Sequence, residues 1–290
     1  MADLDDLRRR AVARLARAGF EAPEAEADAL LSAVLGRSRG ELGIDRLLGR
    51  ALADDDAERV ARALARRERR EPLQHLVGRA PFRDVELAVG PGVFVPRPET
   101  ELLVELAAAE LRSLAASGVR SPLAADLGSG SGAIAIGVAR AVPEARVIAL
   151  EGSPAAWPWL IRNVRSLGDG RVEPRFGRIG EAPLAAPGGL DALVSNPPYI
   201  PARNAPRDPE ARDHDPDMAL YGGADGLAAI RAIERIGARE LRPGGGLWLE
   251  HDDHQGPEVR ALLAAGGWER PATERDLAGR DRITWARRPR

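Results

Sequence analysis

Neither cysteine nor lysine occurs among the 290 residues, so all 42 basic side chains are arginine. Disulfides, thiolate nucleophiles, thiolate zinc sites and Schiff-base lysines are thereby excluded. The four histidines are His75, His214, His251 and His254, and only the last two are close in sequence. That spacing reads as structural, and no metal site is expected. No apolar run approaches the roughly 20 residues of a membrane span, and no basic segment with an apolar run behind it opens the chain. The expected location is the cytoplasm, without membrane contact. Acidic residues number 44 and the net charge is −2, which gives no general basic surface for duplex nucleic acid. What is present, 44% hydrophobic and 30% charged residues, is the composition of a folded protein of one large or two ordinary domains.

Residues 1–70 carry apolar side chains three and four apart, among them Leu4, Leu7, Val12, Leu15, Leu30, Val34, Val60 and Leu64, with breaks at Gly19 and Gly36. This spacing predicts a small bundle of amphipathic helices. Arg66-Arg67-Glu68-Arg69-Arg70 reads as a solvated helix end, since cations suit a helix C-terminus. From residue 71 the texture changes. Phe82–Val89 and Val93–Val95 are β-rich around Gly90-Pro91-Gly92, which predicts a hairpin and a linker over 71–97. A helix opens near Pro98 and runs to about Ala116. Strands and helices then alternate from Leu123 to the end, implying a mostly parallel sheet with helices on both faces over 98–290. Arg203–Met218, rich in Pro, Asp and Arg, is the one long irregular stretch, a lid or a mobile surface insertion.

Two segments carry chemistry. Asp126-Leu127-Gly128-Ser129-Gly130-Ser131-Gly132 joins the first sheet strand to its helix, where glycines let the backbone approach a ligand and the helix N-terminus offers free N–H groups. Glu151 ends the second strand, placed to accept both ribose hydroxyls of a nucleoside. This pair alone fits a dinucleotide as well. The second segment is Asn196-Pro197-Pro198-Tyr199, one residue beyond the buried-strand run Asp191–Val194. The prolines supply no ladder N–H, so they end the strand and hold a polar amide at its carboxyl edge.

Asn196-Pro197-Pro198-Tyr199 resembles the signature of methyltransferases that use S-adenosylmethionine (AdoMet) to methylate a planar amine or amide nitrogen, found in adenine-N6 DNA methyltransferases and glutamine-N5 methyltransferases. Nearly the whole chain is similar to the second group, the PrmC/HemK family. The shared segments are the helical N-terminal region, Pro72–Gly78, Val95–Glu101, Asp126–Gly132, Asn196–Ile200, Gly222-Gly223, Asp225-Gly226, Glu250-His251, Gln255-Gly256 and Gly279–Arg282.

The resemblance implies an α/β fold: a Rossmann-like seven-stranded AdoMet-dependent methyltransferase sheet, one strand antiparallel, with a small N-terminal helical-bundle domain that recognises substrate. It implies methylation of the glutamine in the Gly-Gly-Gln loop of peptide chain release factors, by a monomer without direct nucleic-acid contact. By position, Gly128, Ser129, Gly130, Ser131, Gly132, Glu151, Ile179 and Asn196 would hold AdoMet. Asn196, Pro197, Pro198 and Tyr199 would hold the glutamine, with Asn196, Pro197 and Tyr199 catalytic. Ile179 stands where the family has an aromatic near the adenine, and Pro158 is unusual inside the helix after Glu151, where it would kink the helix or delay its start. The rival expectations are an adenine-N6 nucleic-acid methyltransferase and a non-catalytic AdoMet-binding protein.

Overall fold

The computed structural model describes residues 2–206 and 208–290. The chain opens with β1 (Ala2–Asp3), α1 (Leu4–Arg17), α2 (Pro23–Leu35), α3 (Arg39–Leu47), β2 (Ala51–Leu52), α4 (Asp54–Arg67) and α5 (Leu73–Val77). There follow β3 (Arg79–Phe82), β4 (Val85–Ala88), α6 (Thr100–Ala116), β5 (Leu123–Leu127), α7 (Ala133–Ala141), β6 (Arg146–Glu151), α8 (Trp157–Leu167) and β7 (Val172–Phe176). The remainder is β8 (Leu190–Ser195), α9 (Pro209–His214), α10 (Asp217–Leu220), α11 (Ala228–Glu240), β9 (Leu241–Glu250), α12 (Gly256–Ala265), β10 (Glu269–Arg275) and β11 (Asp281–Arg287).

Two compact units result, one formed by residues up to Arg79 with Asp208–His214, the other by Ala80–Arg207 and Asp215–Arg290. In the first, Leu4, Leu15, Leu30, Val60 and Leu64 form the buried core. Leu73 and Leu76 of α5 pack on that core, which carries the unit past residue 70 to Arg79. The arginine run at its end is only in part a solvated helix terminus: Arg69 is exposed, whereas Arg67 and Arg70 are engaged. Arg67 is only 4% exposed; it pairs with Glu26 and Glu210 at 2.5 Å each and donates to the Glu71 carbonyl. Arg70 donates to the carbonyls of Ala18 and Gly19 and lies over the Phe20 ring. Glu210 belongs to α9, so Arg67 fastens that helix within this unit.

In the second unit one sheet has the order β10-β11-β9-β8-β5-β6-β7. Pairing is parallel from β9 to β7, and β11 runs antiparallel to both β9 and β10. The central strands are buried on both faces, as the inner strands of a parallel sheet are. Alternate residues serve opposite layers: Val147 and Ala149 face a core with α6, α7 and α8, while Ile148 and Leu150 face one with α11 and α12. β5 has β6 on one side and β8 on the other, and the chain order reverses there. The crevice at the carboxyl ends of such strands is where ligands bind in open α/β sheets.

Two local expectations are corrected, and a third is decided between its alternatives. The hairpin lies ahead of Gly90: β3 and β4 pair with each other, and Arg83 and Asp84 connect them, Arg83 at φ +52°. Gly90 instead admits the Trp159 ring, since a Cβ there would sit 2.4 Å from it. Arg203–Met218 is not structureless: α9 and the start of α10 lie in it, although Arg207 falls outside the described residues. Pro158 does not kink α8. It occupies the first turn, where no helical N–H is lost, and sets the start of the helix at Trp157.

Candidate active site

The crevice is a cavity of about 500 Å³, within the range of small-molecule sites. Its floor is the loop after β5. Gly128 and Ser129 donate to the Leu150 carbonyl, and Gly128, Gly130 and Gly132 all take positive φ. Glu151 closes the loop from the neighbouring strand: Oε2 accepts from the Gly130 N–H at 2.7 Å and Oε1 from the Ser153 N–H at 2.6 Å. Each carboxylate oxygen has a second lone-pair direction, so both remain able to accept a ligand hydroxyl.

Gly128, Ser129, Gly130, Ser131, Glu151, Ile179, Asn196, Pro198 and Tyr199 all line this one cavity. Gly132 does not line it; it caps α7 behind the loop at φ +87°. Pro197 is buried and also lies off the wall. The residues present fit a nucleoside. The fit rests on the glycine turn, on a carboxylate at the end of β6, and on an adjoining apolar wall that includes Ile134, Leu150 and Ile179.

At the far end Asn196 leaves β8 at the carboxyl edge and its Nδ2 donates to the Thr100 hydroxyl at 3.3 Å. A second layer fixes the backbone here. Ile200 donates to the Leu220 carbonyl and accepts from Gly222, and the Tyr199 carbonyl accepts from Gln255 Nε2 at 3.0 Å. A Cβ on Gly226 would lie 2.2 Å from the Tyr199 carbonyl oxygen, so this segment closes only over glycine. From the minor motifs noted in the sequence, Gly222, Gly226 and Gln255 thus hold Pro198–Ile200 in place.

Among the described residues, the ionisable side chains on the cavity wall are Glu151, Arg178 and Tyr199. Burial, reinforced by Glu250, pushes the Tyr199 phenol above its ordinary value, so it stays protonated at neutral pH. The acceptor end therefore offers hydrogen-bond geometry and a flat ring rather than a base. Under the floor, Asp126 is fully buried and its carboxyl is pushed up to about 7 by burial, against the Ser129 hydroxyl and the Ala135 N–H that hold it down.

One supporting residue was not singled out from the sequence. Asn163 on α8 donates to the carbonyls of Ala88 at 2.9 Å and Ser131 at 2.8 Å and accepts from the Ala88 N–H, tying the glycine loop to β4. Its signal was an amide on the buried face of an otherwise apolar helix side. Of the histidines, His251 is buried against Thr284, and His254 stands with Asp252 and Asp253 at the surface. Among the described residues, no helix is long and apolar enough to cross a membrane.

A family model described as the PrmC N-terminal domain matches residues 6–78. A release factor glutamine methyltransferase of Streptomyces coelicolor is 45% identical over 96% of this chain and 95% of its own. A 4-amino-L-phenylalanine/4-methylamino-L-phenylalanine methyltransferase of Streptomyces pristinaespiralis is 40% identical over 89% of this chain and 86% of its own. Among solved structures, the 16S rRNA N2 G1207 methyltransferase of T. thermophilus, in complex with AdoMet and guanosine, is similar in fold. Its TM-score is 0.50 at 24% identity, over 72% of this chain and 49% of that one.

Proposed function

The chain belongs to the release factor glutamine methyltransferase family, and we propose that it transfers a methyl group from AdoMet to the side-chain amide nitrogen of the glutamine in the Gly-Gly-Gln loop of a peptide chain release factor. The observation that carries this reading is the placement of Asn196 and Tyr199 on the same cavity wall as the glycine turn and Glu151.

AdoMet, when bound, supplies a methyl group on a sulfonium as the electrophile. Gly128–Ser131 and Glu151 would hold it, with Glu151 on the ribose and Ile179 against the adenine. An amide nitrogen is a weak nucleophile because its lone pair is delocalised, so its presentation has to supply the rate. Asn196 Oδ1 accepts one amide N–H and turns the nitrogen toward the donor, while the Tyr199 ring packs on the amide plane. The second N–H is assigned to the Pro197 carbonyl; because Pro197 lies off the wall, that assignment rests on its place beside Asn196. No base is required before transfer, since the amide proton can leave to solvent afterwards.

The N-terminal helical unit is assigned to recognition of the release factor body, and the enzyme is taken to act as a cytoplasmic monomer without nucleic acid. The test is incubation of the purified protein with labelled AdoMet and one acceptor at a time, with the methyl located by mass spectrometry. Label on the Gly-Gly-Gln glutamine, absent when that glutamine is alanine, supports the reading. Label on 4-amino-L-phenylalanine or duplex DNA and none on any release factor contradicts it.

A further inference from the structure

Glu250 ends β9 and is 2% exposed, yet it does not line the cavity. The β8–β9 register pairs Ser195 with Leu249, so Asn196 and Glu250 leave adjacent parallel strands side by side. Its Oε2 has no hydrogen-bond partner. Thr100 and Asn196 present polar side chains to this carboxyl, and these two are themselves joined by the 3.3 Å contact from Asn196 Nδ2 to Thr100 Oγ1. Both line the cavity, and Thr100 is otherwise buried as the first residue of α6.

We propose that Glu250 and Thr100 set the direction of the Asn196 amide: the Glu250 carboxylate accepts the Thr100 hydroxyl proton, the Thr100 oxygen accepts from Asn196 Nδ2, and Asn196 Oδ1 is left to face the acceptor amide. This presupposes that Asn196 orients the acceptor, as proposed above. A side-chain amide can present either end, and a hydroxyl can donate only once, but an ionised carboxylate can only accept. With the carboxylate at its end, the chain has one consistent polarity. A neutral group in its place can donate to Thr100, which frees the hydroxyl proton for Asn196 Oδ1. The Asn196 NH₂ is then turned on the substrate N–H, donor against donor. Glu250 and Thr100 are positioning residues, since neither has to touch the reacting atoms.

The charged and titratable groups acting on Glu250 are Arg282 on β11, Glu99 just before α6, and Tyr199 after β8. Burial pushes the Glu250 carboxyl up to about 7, with Thr100, Arg282 and Asn196 holding it down and Glu99 raising it. Protonation of the carboxyl on the acid side of neutrality therefore lets the chain reverse.

The experiment measures single-turnover methylation of a release factor across pH, with calorimetric AdoMet titration, for wild type, Glu250→Gln, Thr100→Val, Thr100→Ser, Glu250→Gln/Thr100→Val and Asn196→Ala. Glu250→Gln and Thr100→Val are each expected to slow transfer about 10- to 100-fold with AdoMet affinity within about twofold of wild type. Thr100→Ser is expected to recover most of what Thr100→Val loses, and the double variant to be no slower than Thr100→Val alone. The wild-type rate is expected to fall below about pH 7, and Glu250→Gln to lack that acid limb. Near wild-type rates in Glu250→Gln and Thr100→Val beside an inactive Asn196→Ala overturn the relay and leave the functional reading standing, as do losses that multiply in the double variant. An Asn196→Ala protein with wild-type rate overturns the functional reading itself.

Discussion

Glu151 and Gly130 are joined by a 2.7 Å hydrogen bond from the glycine N–H to the carboxylate Oε2, linking the loop after β5 to the end of the neighbouring parallel strand β6. The carboxylate expected to bind ribose is thus also the brace of the glycine turn, and its other oxygen holds the Ser153 N–H. Cofactor affinity and loop shape are coupled through one side chain.

Glu151→Gln therefore does more than remove a charge. One end of the new amide is a donor and must face either the Gly130 or the Ser153 N–H, so the loop loses one brace whichever way the side chain turns. AdoMet affinity is expected to fall about 10- to 100-fold, the range of a hydrogen bond to a charged acceptor. Calorimetric titration measures it, and an unchanged Kd shows that Glu151 is not a cofactor ligand.

Gly226→Ala places a methyl group 2.2 Å from the Tyr199 carbonyl oxygen and 2.7 Å from Gln255 Nε2. Its backbone is also at φ +80°, strained for any residue with a Cβ. The shift falls on the Pro198–Ile200 backbone, so kcat for release factor methylation should drop on the order of a hundredfold, as a displacement of about 1 Å at an acceptor can cause. AdoMet binding should change little. Loss of both in equal measure means that Gly226 supports the whole unit instead.

Asp126 gives stability a pH dependence with a definite sign. Its folded pKa, about 7, lies above the ordinary aspartate value, so the folded state holds a proton that the unfolded state has released. This contribution falls as pH rises from about 4 to about 7 and is constant above that window. Asp126→Asn removes it. Chemical denaturation without AdoMet should therefore show the variant gaining on wild type by about 2 to 3 kcal/mol between pH 5 and pH 8, at about 1.4 kcal/mol per unit. Parallel profiles would mean that the carboxyl ionises normally.

Arg67→Ala leaves Glu26 and Glu210 facing a void in the N-terminal unit. Breaking a buried pair from one side typically costs about 3 to 5 kcal/mol. The unit should melt earlier, and trypsin should cut faster after Arg212 in α9, which that pairing fastens. An unchanged melting curve and unchanged cutting at Arg212 contradict the assignment.

Much of the second unit was legible because its signals are local. The glycine turn fixes the start of α7 at Ala133, and the run into Asn196-Pro197-Pro198 fixes the end of β8, so the two halves of the cavity could be named by residue. What was not legible depends on partners distant in the chain. Arg67 looked solvated because Glu210 reaches it from α9, and Glu250 entered only as part of the shared segment Glu250-His251 because only the β8–β9 register sets it beside Asn196. The hairpin was placed at Gly-Pro-Gly because glycine is the usual source of positive φ, whereas the turn used is at Arg83. Gly90 is glycine for the sake of the Trp159 ring, a contact with no local signature.

The most direct test of the account is Asn196→Ala, assayed by single-turnover methylation of a release factor beside a calorimetric AdoMet titration. Asn196 faces the acceptor end of the cavity, and its removal leaves Gly128–Ser131 and Glu151 in place. A fall in transfer rate on the order of a hundredfold or more, with AdoMet affinity within a few-fold of wild type, is the expected result, corresponding to about 2.7 to 4 kcal/mol of barrier for one preorganised hydrogen-bonding group. Methyl transfer at near wild-type rate would show that Asn196 does not orient the acceptor nitrogen.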